Sequence, residues 1–240
     1  MPLTIYWLVQ KISDVPDGDD WLSEKEREIL SGLHFSKRRN DWKLGRWTAK
    51  CACLSSRFGL ASSMDRMEII AAEDGGPDLY FAGGDPVPIS LSISHSNGRG
   101  FCALNADRHP VGCDLERIEK KSLDFFEDYF TSEEMEFCRQ SSWNNYPVAC
   151  YLVWSAKESV LKILREGLRR DTRSIQIKVE FPAEEAVWCR WIGHCRITSR
   201  TFHGFWRYDN EFMYTLGSDR PNIIPEELKT VESPTSKVEG

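Results

Sequence analysis

The sequence has no run approaching the ~18 consecutive apolar residues of a membrane-spanning helix. Its first residues, Met1-Pro2-Leu3-Thr4-Ile5-Tyr6-Trp7, carry no basic segment followed by a small-residue cleavage site, so no secretory signal is expected. Positive charge is in the minority. The 31 Lys and Arg against 37 Asp and Glu leave a net charge of −6, which argues against a general nucleic-acid binder while leaving room for a local basic patch. Cysteine motifs are missing too. Cys51, Cys53, Cys102, Cys113, Cys138, Cys150, Cys189 and Cys195 include no Cys-x-x-Cys, and no histidine pair stands at zinc-finger spacing. Small, reduced, buried thiols in a cytoplasmic protein are the expectation. No heptad repeat or low-complexity composition dominates the chain, which excludes coiled coil, collagen and disorder as its overall class.

What is present is globular material: 41% hydrophobic residues, nine Trp and twelve Phe in 240 residues, enough for one large domain or two small ones. A strand-like run, Leu3 to Val9, ends at the polar loop Asp14 to Asp20. Ser23 with Glu26 forms a capping box that opens a helix to about Leu33. A longer helix, Lys37 to Phe58, is marked by Leu44, Trp47, Cys51, Leu54 and Phe58 at helical spacing and closed by Gly59. Strands are expected at Met67 to Ala71 and over the alternating Ile89-Ser90-Leu91-Ser92-Ile93-Ser94. Phe101 to Asn105 and Val111 to Glu116 flank a turn and read as a hairpin. The order then begins again. Thr131 and Glu134 make a second capping box, a long helix spans about Val148 to Leu168, and strands follow at Ile175 to Val179, Ala186 to Ile192, Cys195 to Thr201 and Phe212 to Leu216. From about Pro221 the absence of apolar periodicity predicts a loose tail. The expectation is an α+β protein of two similar lobes, 1–107 and 108–220, each an antiparallel sheet against a long helix, with a 221–240 tail.

Four features carry chemistry. In Val111-Gly112-Cys113-Asp114-Leu115-Glu116 the two carboxylates share one strand face, where hard oxygens could hold a divalent cation, although a lone Asp-x-Glu is more often a solvated face. Trp154, Glu158 and Lys162 share one face of the long helix, and an exposed ion pair between the last two is the plain alternative. The strand end Ser92-Ile93-Ser94-His95-Ser96-Asn97-Gly98 offers hydroxyl, imidazole and backbone donors to a phosphate, or simply a satisfied turn histidine. Arg39, Lys43, Arg46, Lys50 and Arg57 form a stripe beside the apolar one. Lys37 to Lys50 holds six positive residues and one negative, a local anion-binding surface in an acidic chain.

Taken in order, Ile93-Ser94-His95-Ser96, Val111-Gly112-Cys113-Asp114-Leu115-Glu116 and Trp154-Ser155-Ala156-Lys157-Glu158-Ser159-x-x-Lys162 resemble the motifs of the 4'-phosphopantetheinyl transferase superfamily, over roughly Lys37 to Val179. The length and the separate N-terminal half look like its monomeric, surfactin-synthetase-activating (Sfp) type. The resemblance implies two similar α+β lobes related by a pseudo-twofold, with the active site in the cleft between them. It implies transfer of the phosphopantetheine arm of coenzyme A to a serine of an apo acyl or peptidyl carrier protein, releasing adenosine 3',5'-bisphosphate. Asp114, Glu116 and Glu158 match the Mg²⁺ ligands (Mn²⁺ as a substitute), and Glu158 also matches the base for the carrier serine. His95 and Lys162 match contacts to the coenzyme A phosphates, and Ser94 matches a neighbour of that site. Lys37, about eight positions before the helix Gly45, matches a further contact. Many members carry a Gly-Lys-Pro turn whose lysine reaches the nucleotide. Here the turn reads Gly75-Gly76-Pro77, so Gly76 lacks that cation and Arg39, Lys43 and Arg46 are candidates to replace it. A cytoplasmic monomer with neither nucleic-acid nor membrane partners is implied. A Mg²⁺-dependent nuclease and a non-catalytic carrier-binding module are the competing readings.

Overall fold

The computed structural model describes residues 2–55, 63–119, 123–141, 146–180, 188–209 and 211–229. Strand β1 (Leu3–Lys11) is followed by helices α1 (Glu24–Ser31) and α2 (Ser36–Ser55), then by β2 (Met67–Ala71), β3 (Pro77–Phe81), β4 (Ser90–Ser96), β5 (Arg99–Asn105) and β6 (Val111–Arg117). Helices α3 (Leu123–Glu127), α4 (Ser132–Gln140) and α5 (Tyr146–Leu164) lead into β7 (Ile175–Val179), β8 (Cys189–Cys195), β9 (Thr201–Tyr208), β10 (Phe212–Ser218) and β11 (Ile223–Glu227). One sheet has the order β11-β1-β5-β4, a second β6-β10-β9-β8-β7, and β2 pairs with β3 alone. The fold is thus mixed α+β. No helix among the described residues is long and apolar enough to cross a membrane. Arg57, and the expected end of the long helix at Phe58 and Gly59, lie outside the described residues.

Two expectations need correction. β5 and β6 are not a hairpin: β5 pairs with β1 and β4, and β6 pairs with β10, so the connection through Asp107 to Pro110 crosses between sheets. Nor is the whole stretch after Pro221 a loose tail. β11 lies parallel to β1, from Leu3 opposite Ile223 to Trp7 opposite Glu227, and Ile223 and Leu228 are buried. Residues 230–240 lie outside the described set.

Alternation on the strands explains how the sheets meet. Leu3, Ile5 and Trp7 on β1 and Phe101 and Ala103 on β5 turn one face toward Val111, Cys113 and Leu115 on β6 and Tyr214 and Leu216 on β10, forming a dry seam between the sheets. Leu8, Cys102 and Leu104 point the other way, onto α2. The seam continues at the sheet edges without a backbone ladder. The hydroxyls of Ser92, Ser94 and Ser96 on β4 accept the N–H groups of Cys113 (3.0 Å), Leu115 (3.3 Å) and Arg117 (3.1 Å) on β6. Three serines spaced by two therefore satisfy three edge amides spaced by two, which leaves no buried donor unpaired there.

Each half also repeats one polar knot. Glu26 accepts from the Ser23 N–H in its capping box, from Lys50 Nζ and from the Ile69 N–H (3.0 Å). Glu134 accepts from the Thr131 N–H (2.8 Å), Lys157 Nζ (2.8 Å) and the Ile177 N–H (2.8 Å). In both, a helix-capping carboxylate joins a short helix to the long helix and to the first residues of a strand. Burial pulls Lys50 and Lys157 below the ordinary lysine range, and the paired glutamate opposes it.

Candidate active site

Because Val111, Cys113 and Leu115 face the seam, Asp114 and Glu116 must face α5. Helix α5 lies close against β6 at Gly112, where an added Cβ would stand 2.0 Å from the Ser159 carbonyl oxygen. Its rotation is set by small hydroxyls, Ser155 (2.9 Å) and Ser159 (2.7 Å), both on Thr215 Oγ1 of β10. With that face against the sheet, Trp154, Glu158 and Lys162 line up beside the carboxylates of β6.

The contacts are specific. Lys162 Nζ donates to Asp114 Oδ1 (2.9 Å) and to the Cys113 carbonyl (2.9 Å). Ser94 Oγ donates to the same Asp114 oxygen at 2.9 Å, which ties β4 into the site. Trp154 Nε1 donates to Glu116 Oε1 at 2.9 Å. Asp114 is 4% exposed, yet its Oδ2 has no hydrogen-bond partner among the described residues, and neither has the buried Glu158 Oε1. Burial, with the Asp114 charge adding and Lys162 opposing, pushes the Glu158 carboxyl up to about 7. Burial works against the charged Lys162, but Asp114, with Cys113 and Glu158 adding, holds the ammonium above its ordinary value. The plain alternative of an exposed Glu158–Lys162 pair is not what forms: Lys162 pairs with Asp114.

Two orphaned carboxylate oxygens in a buried, acidic corner fit a hard divalent cation by donor chemistry. Among the described residues no three His, Cys, Asp or Glu side chains converge into a metal-binding group; Lys162 donates to Asp114 and Trp154 to Glu116.

Two cavities open beside this corner. One, of about 750 Å³, is lined by Lys37, Arg38, Asp41, Trp42, Arg46 and His95, so four basic side chains face one carboxylate. The other, of about 520 Å³, is lined by Gly76, Ser92, Arg108, Leu161, Lys162 and Arg165. Gly75, Pro77 and Ile93 belong to both walls. His95 is exposed at its cavity. Its enclosing walls push the imidazole below its ordinary value, with Asp41 opposing and Lys162 adding.

The basic stripe on α2 is not the free anion-binding surface the sequence suggests. Arg39 caps the end of α1, donating to the carbonyls of Leu30 (2.7 Å) and Leu33 (3.3 Å). Lys43 reaches the carbonyls of Asp17 and Gly18 and the Asp19 carboxylate (2.7 Å). Lys50 is buried on Glu26. Of the stripe, Arg46 lines the larger cavity, its guanidinium 4.8 Å from the Trp42 ring centroid, and Lys37 joins it there. Arg38 and Arg165 had no separate signal. Arg38 is one of six cations spread between Lys37 and Lys50, and Arg165 reaches the cleft only because α5 ends beside the β2–β3 turn.

The resemblance read from the sequence is borne out. The family model of the 4'-phosphopantetheinyl transferase superfamily matches residues 110–212, a stretch that contains Asp114, Glu116, Glu158 and Lys162. A 4'-phosphopantetheinyl transferase (gsp) of Aneurinibacillus migulanus is 31% identical over 80 residues, 33% of this chain and 33% of that protein. A 4'-phosphopantetheinyl transferase of Bacillus subtilis is 24% identical over 157 residues, 65% of this chain and 62% of the relative. The subunit alpha of a fatty acid synthase from Candida parapsilosis is 34% identical over 77 residues, 30% of this chain and 4% of that protein. The chain therefore matches a third of the length of the first relative and less than two thirds of the second.

Proposed function

We propose that this chain is a 4'-phosphopantetheinyl transferase of the Sfp type, moving the phosphopantetheine arm of coenzyme A onto a serine hydroxyl of an apo acyl or peptidyl carrier protein. The observation that carries the reading is one juxtaposition. Carboxylates with buried, unsatisfied oxygens, Asp114 and Glu158, meet Lys162 beside a cavity whose walls are cationic. An anionic, phosphate-bearing substrate suits the cavity, and a charge-neutralised reacting centre suits the corner.

In this reading Asp114, Glu116 and Glu158 would hold Mg²⁺, or Mn²⁺ in its place, which when bound supplies charge neutralisation for the pyrophosphate. Lys37, Arg38, Arg46 and His95 bind coenzyme A phosphates through charge-assisted hydrogen bonds. Lys162 keeps Asp114 oriented and brings a positive charge to the same oxygens, and Ser94 fixes Asp114 from the other side. Glu158 accepts the proton of the carrier serine. The serine oxygen then forms its bond to the pantetheine phosphorus as the phosphoanhydride bond breaks, and adenosine 3',5'-bisphosphate leaves. The halves are read as two similar lobes about a pseudo-twofold, meeting near Asp107, with β11 added to the first. The two Glu–Lys knots support that reading. Eight buried thiols outside any disulfide support a cytoplasmic setting, and a monomer is the proposed state.

Intact-mass measurement of several apo-carriers incubated with coenzyme A and Mg²⁺ tests the proposal. Addition of the arm to at least one carrier, abolished by Asp114→Ala or by EDTA, is the expected result. Carrier binding without any mass change would favour a non-catalytic module, and plasmid cleavage under Mg²⁺ would favour a nuclease.

A further inference from the structure

The last turn of α5 ends on an unusual residue. The Arg165 N–H bonds to the Lys162 carbonyl (3.1 Å) and the Glu166 N–H to the Leu161 carbonyl (3.1 Å), a paired pattern that closes a helix through one left-handed residue. Glycine usually fills that position. Here it is arginine, at φ +56°, a backbone conformation that a side chain disfavours. A residue held against its own preference points to a use for the side chain.

That side chain crosses the cleft. Arg165 Nε and Nη2 grip Asp74 Oδ2 (2.6 Å) and Oδ1 (3.0 Å), and Nη1 donates to Asp78 Oδ1 (2.8 Å). Nη2 also faces the Gly76 carbonyl at 3.4 Å, and Arg169 reinforces the contact through the Asp74 carbonyl (2.8 Å). The β2–β3 turn so gripped, Asp74 to Pro77, forms part of the wall of the smaller cavity, and Gly75 and Pro77 also line the larger one.

Gly76 is shaped to this grip. A Cβ there would lie 2.7 Å from Arg165 Nε and 2.9 Å from its Cζ and Nη2. Unlike Gly75 at φ +86°, Gly76 does not adopt a left-handed backbone, so its need for glycine is steric. An arginine tip normally moves aside easily. This one is pinned by two carboxylates, and displacing it breaks those bonds.

We propose that Arg165 is a positioning residue that clamps the β2–β3 turn across the cleft, setting the shape of the two joined cavities for the nucleotide end of coenzyme A, with Gly76 as the socket that admits its guanidinium. This rests on the reading of coenzyme A as substrate. It makes the residue pair 76 and 165, from opposite sides of the cleft, a single unit.

Calorimetric titration of the full chain with Mg²⁺ and coenzyme A, alongside steady-state transfer kinetics, tests it. Arg165→Gly relieves the backbone conformation while removing the clamp, so thermal stability should hold while the Kd and KM for coenzyme A rise by about tenfold, a loss of ~1.4 kcal/mol of binding, with kcat little changed. Gly76→Ala should weaken coenzyme A similarly in the wild-type background and have no further effect in the Arg165→Gly background. Wild-type affinity in Arg165→Gly, or independent effects of the two substitutions, would overturn the clamp while leaving the transferase reading intact. Failure of the unaltered chain to bind coenzyme A would overturn both.

Discussion

Replacing Glu134 probes what holds helix α5 in place. Its carboxylate accepts from the Thr131 N–H, the Ile177 N–H and Lys157 Nζ, each at 2.8 Å, and both Glu134 and Lys157 are almost wholly buried. Lys157 precedes Glu158 and reaches Glu134 of α4, so the knot anchors the helix that presents Glu158 and Lys162. In Glu134→Gln the shape survives and one acceptor oxygen remains, but the ammonium of Lys157 loses its counter-charge. Breaking a buried pair from one side costs ~3–5 kcal/mol. Lys157 keeps the carbonyls of Thr172 (2.9 Å) and Ile175 (2.6 Å), which places the expected loss near the lower end, ~3 kcal/mol. For a chain of this size that corresponds to a drop of ~6–12 °C in Tm. The pH dependence separates charge from packing. Burial already holds Lys157 below its unfolded value, and without Glu134 it falls further. The unfolded chain then binds the extra proton, so the destabilisation is complete below the folded-state value and shrinks as pH rises toward the unfolded one. Urea denaturation at pH 7 and pH 9.5 reads this directly, and adding Lys157→Met to Glu134→Gln should recover at least ~1 kcal/mol because no unpaired charge remains. A loss under ~1 kcal/mol in Glu134→Gln, or strict additivity with Lys157→Met, would refute the reasoning.

Glu158→Gln keeps the shape of the corner and removes its charge, so transfer should fall by at least ~100-fold, the scale of a lost general base, with coenzyme A still bound in calorimetry; unchanged kcat would remove Glu158 from the mechanism. Truncation after Arg220 strips β11 from β1 and exposes the buried Ile223 and Leu228 partners, for a loss of ~3–6 kcal/mol at about 1.5–3 kcal/mol per buried aliphatic side chain; a fragment as stable as the full chain in urea would show β11 to be dispensable. The Arg165 guanidinium holds Asp74 below the ordinary carboxylate range, so its stabilisation is full above the unfolded value and is lost as pH falls through the lower folded one. Affinity for coenzyme A should therefore drop faster in acid, below about pH 4, in the wild type than in Arg165→Gly, and parallel acid limbs would contradict this.

Much of the molecule was legible along the chain because it depends on neighbours in sequence. The capping boxes at Ser23 and Thr131 mark their helices, since an N-cap is satisfied within four residues. Asp114 with Glu116, and Trp154 with Glu158 and Lys162, fall on shared faces because strand and helix periods dictate it. That motif order also carried the resemblance to the superfamily. The choices left to tertiary structure involve partners far apart in sequence. Strand propensity cannot say whose edge β6 meets, so two strands flanking a short turn read as a hairpin until β10 and the serines of β4 claim its edges. Nor does a positive charge on a helix reveal its destination: Arg39 and Lys43 end on backbone carbonyls, Lys50 in a buried pair, and Arg46 at a cavity. Proline and the absence of apolar periodicity hide a five-residue strand that pairs parallel to β1. The acidic corner at Asp114 and the Arg165 contact to the β2–β3 turn depend on packing between elements far apart in the chain, which alone brings Ser94 to Asp114 and Arg165 to Gly76.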